Sequence, residues 1–178
     1  LAQEHEIVAV NGGFIEFVSK PRASVLSRTF ARLLDPPGRF YACLFSDDSC
    51  MSIRLGGEVH TYNMDIKSCD ASHTGQLFDS LQRITPEKGK EDMEYLIAQC
   101  KLPVEVRSTS GLKSERVLLQ ADGPTLYSGS TLTTAINNLA STLIVKSMTD
   151  VPYTNEKGLI LAAEEAGYVM TMERCYHY

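Results

Sequence analysis

The sequence lacks any long run of apolar residues, and this argues against a helix that crosses a membrane. No stretch of the 178 residues approaches the about 18 consecutive apolar positions that a membrane span needs. The sequence also lacks an excess of basic residues, because 17 Lys and Arg stand against 22 Asp and Glu, for a net charge of −5. A surface that binds nucleic acid throughout is therefore excluded, but a local basic channel is not.

Cysteines with metal-binding or disulfide spacing are missing as well. The five cysteines are odd in number and contain no Cys-x-x-Cys pair, and the four histidines have no ligand spacing with one another. Cys43 and Cys50 would face each other across a hairpin, and we expect them to be reduced core thiols. The first ten residues carry no basic segment followed by a long apolar one. The sequence thus predicts an intracellular chain without a zinc site.

The composition is 43% hydrophobic and 22% charged, which is typical of one globular domain. Turn residues at 11–13 predict a hairpin, and three short apolar segments within 40–66 predict an antiparallel meander. Helical spacing of apolar residues predicts helices over 22–34, 71–84, 88–100, 131–148 and 158–167, and a further hairpin is expected over 103–120. Antiparallel strands with helices on one face make an α+β fold.

Two pairs of aspartates stand at the expected ends of strands. Asp47 and Asp48 occupy a hairpin tip, and Asp65 and Asp70 lie where a strand passes into a helix. Carboxylates and substrate phosphates are the ligands that hold paired Mg²⁺ ions, about 4 Å apart, in phosphoryl-transfer sites. Solvated turn residues give the same pattern, because Asp is common in turns. Spacing alone leaves both interpretations open.

A second polar segment runs from a loop into the long helix over 131–148. Thr133 and Asn137 share one helix face, and Ser128 with Gly129 forms a flexible entry where backbone can approach a ligand. Small polar groups on one helix face suit the hydroxyls of a sugar. A serine cap followed by buried small residues is the alternative interpretation.

Together, these segments resemble the palm motifs of viral RNA-dependent RNA polymerases. MDIKSCDAS, within residues 62–72, resembles motif A, and SGSTLTTAIN, within 123–140, matches the spacing of motif B. FYACLFSDDSCMSI, at 40–53, resembles motif C, with Ser46 in place of the usual Gly. GLILAAEEAGYVMTMER, within 157–175, resembles motif D.

The motif order is C, A, B, whereas most viral polymerases have A, B, C. Birnaviruses and permutotetraviruses show the permuted order, and no GDD-type triplet follows motif B here. The resemblance implies that residues 1–178 are a single polymerase palm, with a small antiparallel RRM-like sheet and helices on one face. The fingers and thumb would lie outside this sequence. Such a virus-encoded protein is expected in the host-cell cytoplasm or packaged in the virion.

The resemblance also implies roles for the polar residues. Asp65, Asp47 and Asp48 would bind two Mg²⁺ or Mn²⁺ ions and catalyse nucleotidyl transfer. A second set would bind the ribose of the incoming nucleoside triphosphate: Asp70, Ser128, Gly129, Thr133 and Asn137.

Three basic residues are further candidates. Lys20 and Arg22 resemble a remnant of the basic segment that binds the triphosphate, or are two solvated charges before a helix. Motif D carries Lys as its general acid, whereas this sequence offers Arg174 nearby. Arg is a poor proton donor at neutral pH, because its pKa lies above about 12.

Two other functions stay open on the sequence. One is a palm-like domain that binds metal without turnover and forms a homodimer through apolar faces. The other is a different palm-type enzyme, such as a reverse transcriptase or a nucleotide cyclase. Asp70 favours ribonucleotides, since a bulky aromatic residue there would indicate deoxyribonucleotides. The expected partners are therefore an RNA template and primer and ribonucleoside triphosphates, and the segment alone is expected to be weakly active or inactive.

Overall fold

The computed structural model describes residues 7–45, 48–55, 57–108, 115–126, 130, 132–150 and 156–175. Two compact units make up the chain, one of Leu1–Cys69 with Asn137–Tyr178 and one of Asp70–Ile136. In chain order the elements are β1 (Ile7–Val10), β2 (Gly13–Phe17), α1 (Ala23–Leu34), β3 (Phe40–Phe45), β4 (Asp48–Leu55), β5 (Glu58–Ile66), α2 (Cys69–Ser72), α3 (Gly75–Ile84), α4 (Lys90–Gln99), β6 (Val104–Ser108), β7 (Glu115–Leu119), α5 (Thr133–Asp150), α6 (Glu156–Glu165) and β8 (Met170–Cys175).

The main sheet of the first unit has six strands in the order β1-β2-β3-β4-β5-β8. The mixed α+β class with a mostly antiparallel sheet is as the sequence predicts. One pair departs from the expectation of a purely antiparallel sheet, because β2 and β3 are parallel. The reason is the connection through α1, since a helical crossover returns the chain in the same direction, whereas a tight turn reverses it.

The β1–β2 hairpin confirms the turn that the sequence predicts. Val10 pairs with Gly13, and the two connecting residues, Asn11 and Gly12, have φ angles of 47° and 81°. Positive φ at both positions is the requirement of a type I′ turn, which Asn-Gly meets at little steric cost. The Gly12 carbonyl then accepts a 2.9 Å hydrogen bond from the N–H of Arg39.

Helix α1 packs on one face of β3. Its buried residues include Val25 and Leu33, which form a core cluster with Tyr41 and Cys43. The alternate residues of β3, which point to the other face, are also buried: Phe40, Ala42 and Leu44. Both faces of β3 are therefore covered.

Helix α6 and strand β8 form the segment that resembles motif D. The helix buries Leu159, Ala162 and Ala163, and it ends in a turn where Gly167 has φ 91°. The N–H of Tyr168 bonds to the Ala163 carbonyl at 2.9 Å, which closes the helix end. This agrees with the glycine cap that the sequence predicts.

The second unit contains α3, α4 and a hairpin that the sequence also predicts, although α3 begins at Gly75 and not at residue 71 as expected. Helix α3 buries Leu77, Phe78 and Leu81, and α4 buries Ile97. Strands β6 and β7 form a separate two-stranded sheet. Among the residues described in either unit, no helix has the length and apolarity to cross a membrane.

Candidate active site

Strand register brings two of the predicted aspartate positions together. Asp48 begins β4, the second strand of the hairpin that resembles motif C, and it pairs directly with Asp65 in β5, the strand that resembles motif A. Paired residues of antiparallel strands have Cα atoms about 4.5–5.5 Å apart. The Asp65 side chain is exposed. Asp47 lies outside the described residues, as does the side chain of Asp48.

A second row of paired residues crosses the same sheet two positions along the strands from the two aspartates. Cys43 pairs with Cys50, as the sequence predicts, and Cys50 pairs with Asn63. Cys50 Sγ donates to Asn63 Oδ1 at 2.7 Å, and both cysteines are free thiols. In the same row Asn63 pairs with Glu173 of β8, an exposed carboxylate. The row therefore ends in a charge that motif spacing does not single out.

Burial keeps the Cys43 thiol protonated. It raises the pKa of Cys43 to about 12, with a smaller contribution from the charge of Glu16. A thiol with such a pKa is a poor nucleophile at neutral pH. Cys43 is therefore not a candidate nucleophile.

A buried ionic cluster, which sequence reasoning missed, links β2, β3 and α1. Glu16 is buried in β2, and its Oε2 atom lies 2.8 Å from Arg32 Nη1 of α1. The Tyr41 hydroxyl of β3 donates to the same carboxylate oxygen. The signal in the sequence is one charged residue inside the otherwise apolar strand GFIEF.

The cluster explains two shifted pKa values. Burial lowers the pKa of Arg32, but hydrogen bonds with Glu16 and Tyr41 outweigh burial, so the net shift is upward. Burial, together with the bond to Glu16, also raises the pKa of Tyr41. Glu16 is therefore a paired buried charge, which holds α1 against the strand that leads into motif C.

Among the residues expected to bind ribose, Asn137 has the clearest environment. It lies in α5, is fully buried, and its Oδ1 atom accepts a 3.5 Å hydrogen bond from Cys69 Sγ. Thr133, the first residue of α5, is half-buried, and its N–H bonds to the Ser130 carbonyl at 3.1 Å.

The other members of that set are less fully described. Asp70 is half-buried in the single turn of α2. Ser128 and Gly129 lie outside the described residues. Ribose recognition by this set stays a prediction.

The basic candidates near α1 lie at the edge of the sheet where β2 and β3 end. Lys20 and Arg22 are exposed and follow β2, and Arg22 caps the start of α1. Because β2 is parallel to β3, with Phe17 opposite Leu44, both strands end at the same edge. That edge is where β3 leads towards the aspartates of motif C. Arg174 belongs to β8, but its side chain is not among those described.

A mixed set of possible metal ligands lies at the end of the segment that resembles motif A and at the residue that follows it. The ligand atoms of Cys69, Asp70 and His73 lie within 4.8 Å of one another. The sequence does not predict this set, because the spacings between cysteines and those between histidines were considered separately. The signal in the sequence is a combination of three ligand types within five consecutive residues.

No family model matches the chain, and no curated protein has significant sequence similarity to it. Residue roles are therefore inferred from motif spacing and strand register.

Proposed function

We propose that this chain is the catalytic palm of a viral RNA-dependent RNA polymerase with the motif order C, A, B. Its reaction would be RNA-directed nucleotidyl transfer. The observation that carries the proposal is the register that pairs Asp48 with Asp65. Motifs C and A are neighbours in the sheet, so their order along the chain does not prevent them from contributing to one site.

The donor atoms at this edge suit Mg²⁺ or Mn²⁺. Both are hard cations that take oxygen ligands, and Asp65 presents an exposed carboxylate beside the position of Asp48. Asp65, Asp48 and Asp47 would hold two ions. Bound there, the ions would activate the primer hydroxyl and neutralise charge on the triphosphate.

Other residues would position the nucleotide. Lys20 and Arg22, at the same sheet edge, would bind the triphosphate through their positive charge. The ribose would be bound by residues of motifs A and B: Asp70, Ser128, Gly129, Thr133 and Asn137. The 2′-hydroxyl is the group that distinguishes ribonucleotides from deoxyribonucleotides.

A Mn²⁺ titration tests the metal assignment in this chain. Free Mn²⁺ is measured by electron paramagnetic resonance for the wild type, Asp65→Asn and Glu173→Gln. Asp65→Asn should weaken binding at least tenfold, because it removes a ligand. Glu173→Gln removes an equal charge from the same sheet and should bind as the wild type does. Equal affinity for all three proteins would overturn the assignment.

Nucleotide incorporation tests the reaction itself. In a full-length polymerase that contains this chain, ribonucleotide incorporation on a primed RNA template should be lost in Asp65→Asn and kept in Glu173→Gln. Incorporation by Asp65→Asn at the wild-type rate would refute the proposed catalytic role.

A further inference from the structure

We propose that Cys69, Asp70 and His73 form a transition-metal site that prefers Zn²⁺, separate from the carboxylates of Asp65 and Asp48. The three residues supply a thiol, a carboxylate and an imidazole, which are the common ligand types of protein zinc sites. The proposal does not depend on polymerase activity, and it is an alternative to ribose binding as the role of Asp70 and Asn137. It rests on residues within five consecutive positions, whose geometry is determined by local backbone.

The backbone turns sharply where this segment begins. Ser68 has φ 51°, in the left-handed region, and the single turn of α2 starts at the next residue. Cys69 and Asp70 are the first two residues of α2, and His73 directly follows its last residue, Ser72. The ligand atoms of Cys69, Asp70 and His73 are mutually within 4.8 Å.

The separation of the ligand atoms is close to what zinc requires. Bonds of about 2.0–2.3 Å in a tetrahedral site place ligand atoms about 3.5 Å apart. A displacement of each ligand atom by about 1 Å, through side-chain rotation, would therefore bring the three donors to bonding distance. His73 is buried, and Cys69 and Asp70 are half-buried, so an ion here would be partly shielded from water.

A polar side chain lies beside the Cys69 sulfur. Asn137 has its Oδ1 atom 3.5 Å away as acceptor of the thiol proton. If Cys69 becomes a thiolate, rotation of that amide by half a turn presents Nδ2 as a donor to the sulfur. Such a group stabilises a thiolate ligand and orients it.

The donor set discriminates between metals. A thiolate and an imidazole favour Zn²⁺ over Mg²⁺, which prefers oxygen ligands in octahedral geometry. Three protein ligands leave the fourth position of a tetrahedral ion to water or another small ligand. Binding would release the Cys69 proton, so affinity should fall as the pH is lowered.

Co²⁺, a spectroscopic substitute for Zn²⁺, tests the site in the whole chain. A thiolate-to-cobalt absorption band should appear on titration with Co²⁺ and disappear on addition of Zn²⁺, with excess Mg²⁺ having no effect. Cys69→Ser should abolish the band, and His73→Asn should lower the affinity for Co²⁺ at least tenfold. Asp70→Asn, at a half-buried position, gives a third variant that tests the site without altering the buried imidazole.

Matched variants identify the ligands. Cys50→Ser and His60→Asn remove the same groups elsewhere and should leave Co²⁺ binding unchanged. Absence of a thiolate band in the wild type, or wild-type binding by folded Cys69→Ser and Asp70→Asn proteins, would overturn the proposal. The Mn²⁺ titration of Asp65 variants uses different residues, so the two proposals can fail separately.

Discussion

Asp48 lies directly opposite Asp65 in the register of β4 and β5. β4 follows the turn of the segment that resembles motif C, and β5 ends in the segment that resembles motif A, so adjacency in the sheet brings these two segments together. Hydrogen bonds between strands determine which strands are neighbours in a sheet. The partner of a strand can come before it or after it along the chain. Permutation of the chain is therefore compatible with one set of neighbouring carboxylates.

Asp65 should be dispensable for stability. Its side chain is exposed, and a like charge at the directly opposite position destabilises an antiparallel pair. We expect Asp65→Asn to change the free energy of unfolding by less than about 0.5 kcal/mol, or to increase it slightly. Chemical denaturation of the wild type and the variant measures the difference. A loss of several kcal/mol would show that Asp65 has a structural role.

The pair of Arg32 and Glu16 should contribute measurably to stability. Arg32→Met leaves the buried Glu16 carboxylate with the Tyr41 hydroxyl but without its cation. Because Arg32 is about a third exposed, we expect a loss of about 2 kcal/mol rather than the full cost of an unpaired buried charge. Arg28→Met, on the exposed side of the same helix, is the control and should be nearly neutral. Equal stability of the two variants would contradict this role.

Stability should fall in alkaline solution. Burial raises the pKa of Cys43 from 9.0 to about 12, and it also raises the pKa of Tyr41. The folded state then binds these protons more tightly than the unfolded state, so the stabilisation is present below about pH 9 and is lost as the pH rises.

The variant Cys43→Ala isolates one of these groups. We expect the free energy of unfolding to fall less steeply with pH than in the wild type, by up to about 1.4 kcal/mol per pH unit. Urea denaturation at a series of pH values between 9 and 12 measures both slopes. Parallel slopes for wild type and variant would contradict the effect of burial.

Two glycines should respond in opposite ways to substitution by alanine. A Cβ at Gly38 would lie 2.5 Å from the Gly12 carbonyl oxygen, which belongs to backbone and already accepts a hydrogen bond from Arg39. Gly38→Ala should therefore cost about 1–3 kcal/mol.

Gly75 provides the matched control. It begins α3, and its Cβ would meet no atom within 4 Å. Gly75→Ala should raise stability by about 0.4–1 kcal/mol, because alanine restricts the unfolded chain. Thermal denaturation of both variants compares the effects. A neutral Gly38→Ala would refute the close approach of the two loops.

The sequence predicts most of the helices and strands, because turn residues and apolar spacing act over a few neighbouring residues. Asn11-Gly12 determines a hairpin by its positive φ angles, and apolar spacing identifies α1 and α6. The parallel pairing of β2 and β3 is not local, since a helix can return the chain to either edge of a sheet. Sequence spacing does not show which strands pair when a helix separates them along the chain.

The candidate sites divide in the same way. The aspartates of motifs A and C could be identified from short spacings, and register then pairs Asp48 with Asp65. Glu16 escaped notice because its partners, Arg32 and Tyr41, lie 16 and 25 residues away along the chain. The sequence did not identify His73 as a possible metal ligand, because the other possible ligands near it, Cys69 and Asp70, are different residue types.

Anomalous scattering from crystals of this chain grown with Mn²⁺ and a non-hydrolysable ribonucleoside triphosphate tests the central claim most directly. The account predicts Mn²⁺ peaks in contact with the Asp65 carboxylate and with the aspartates of the motif C turn. The same crystals of Asp65→Asn should lose these peaks. Bound nucleotide with no Mn²⁺ at Asp65 in the wild-type crystals would contradict the assignment of this sheet edge as a polymerase metal site.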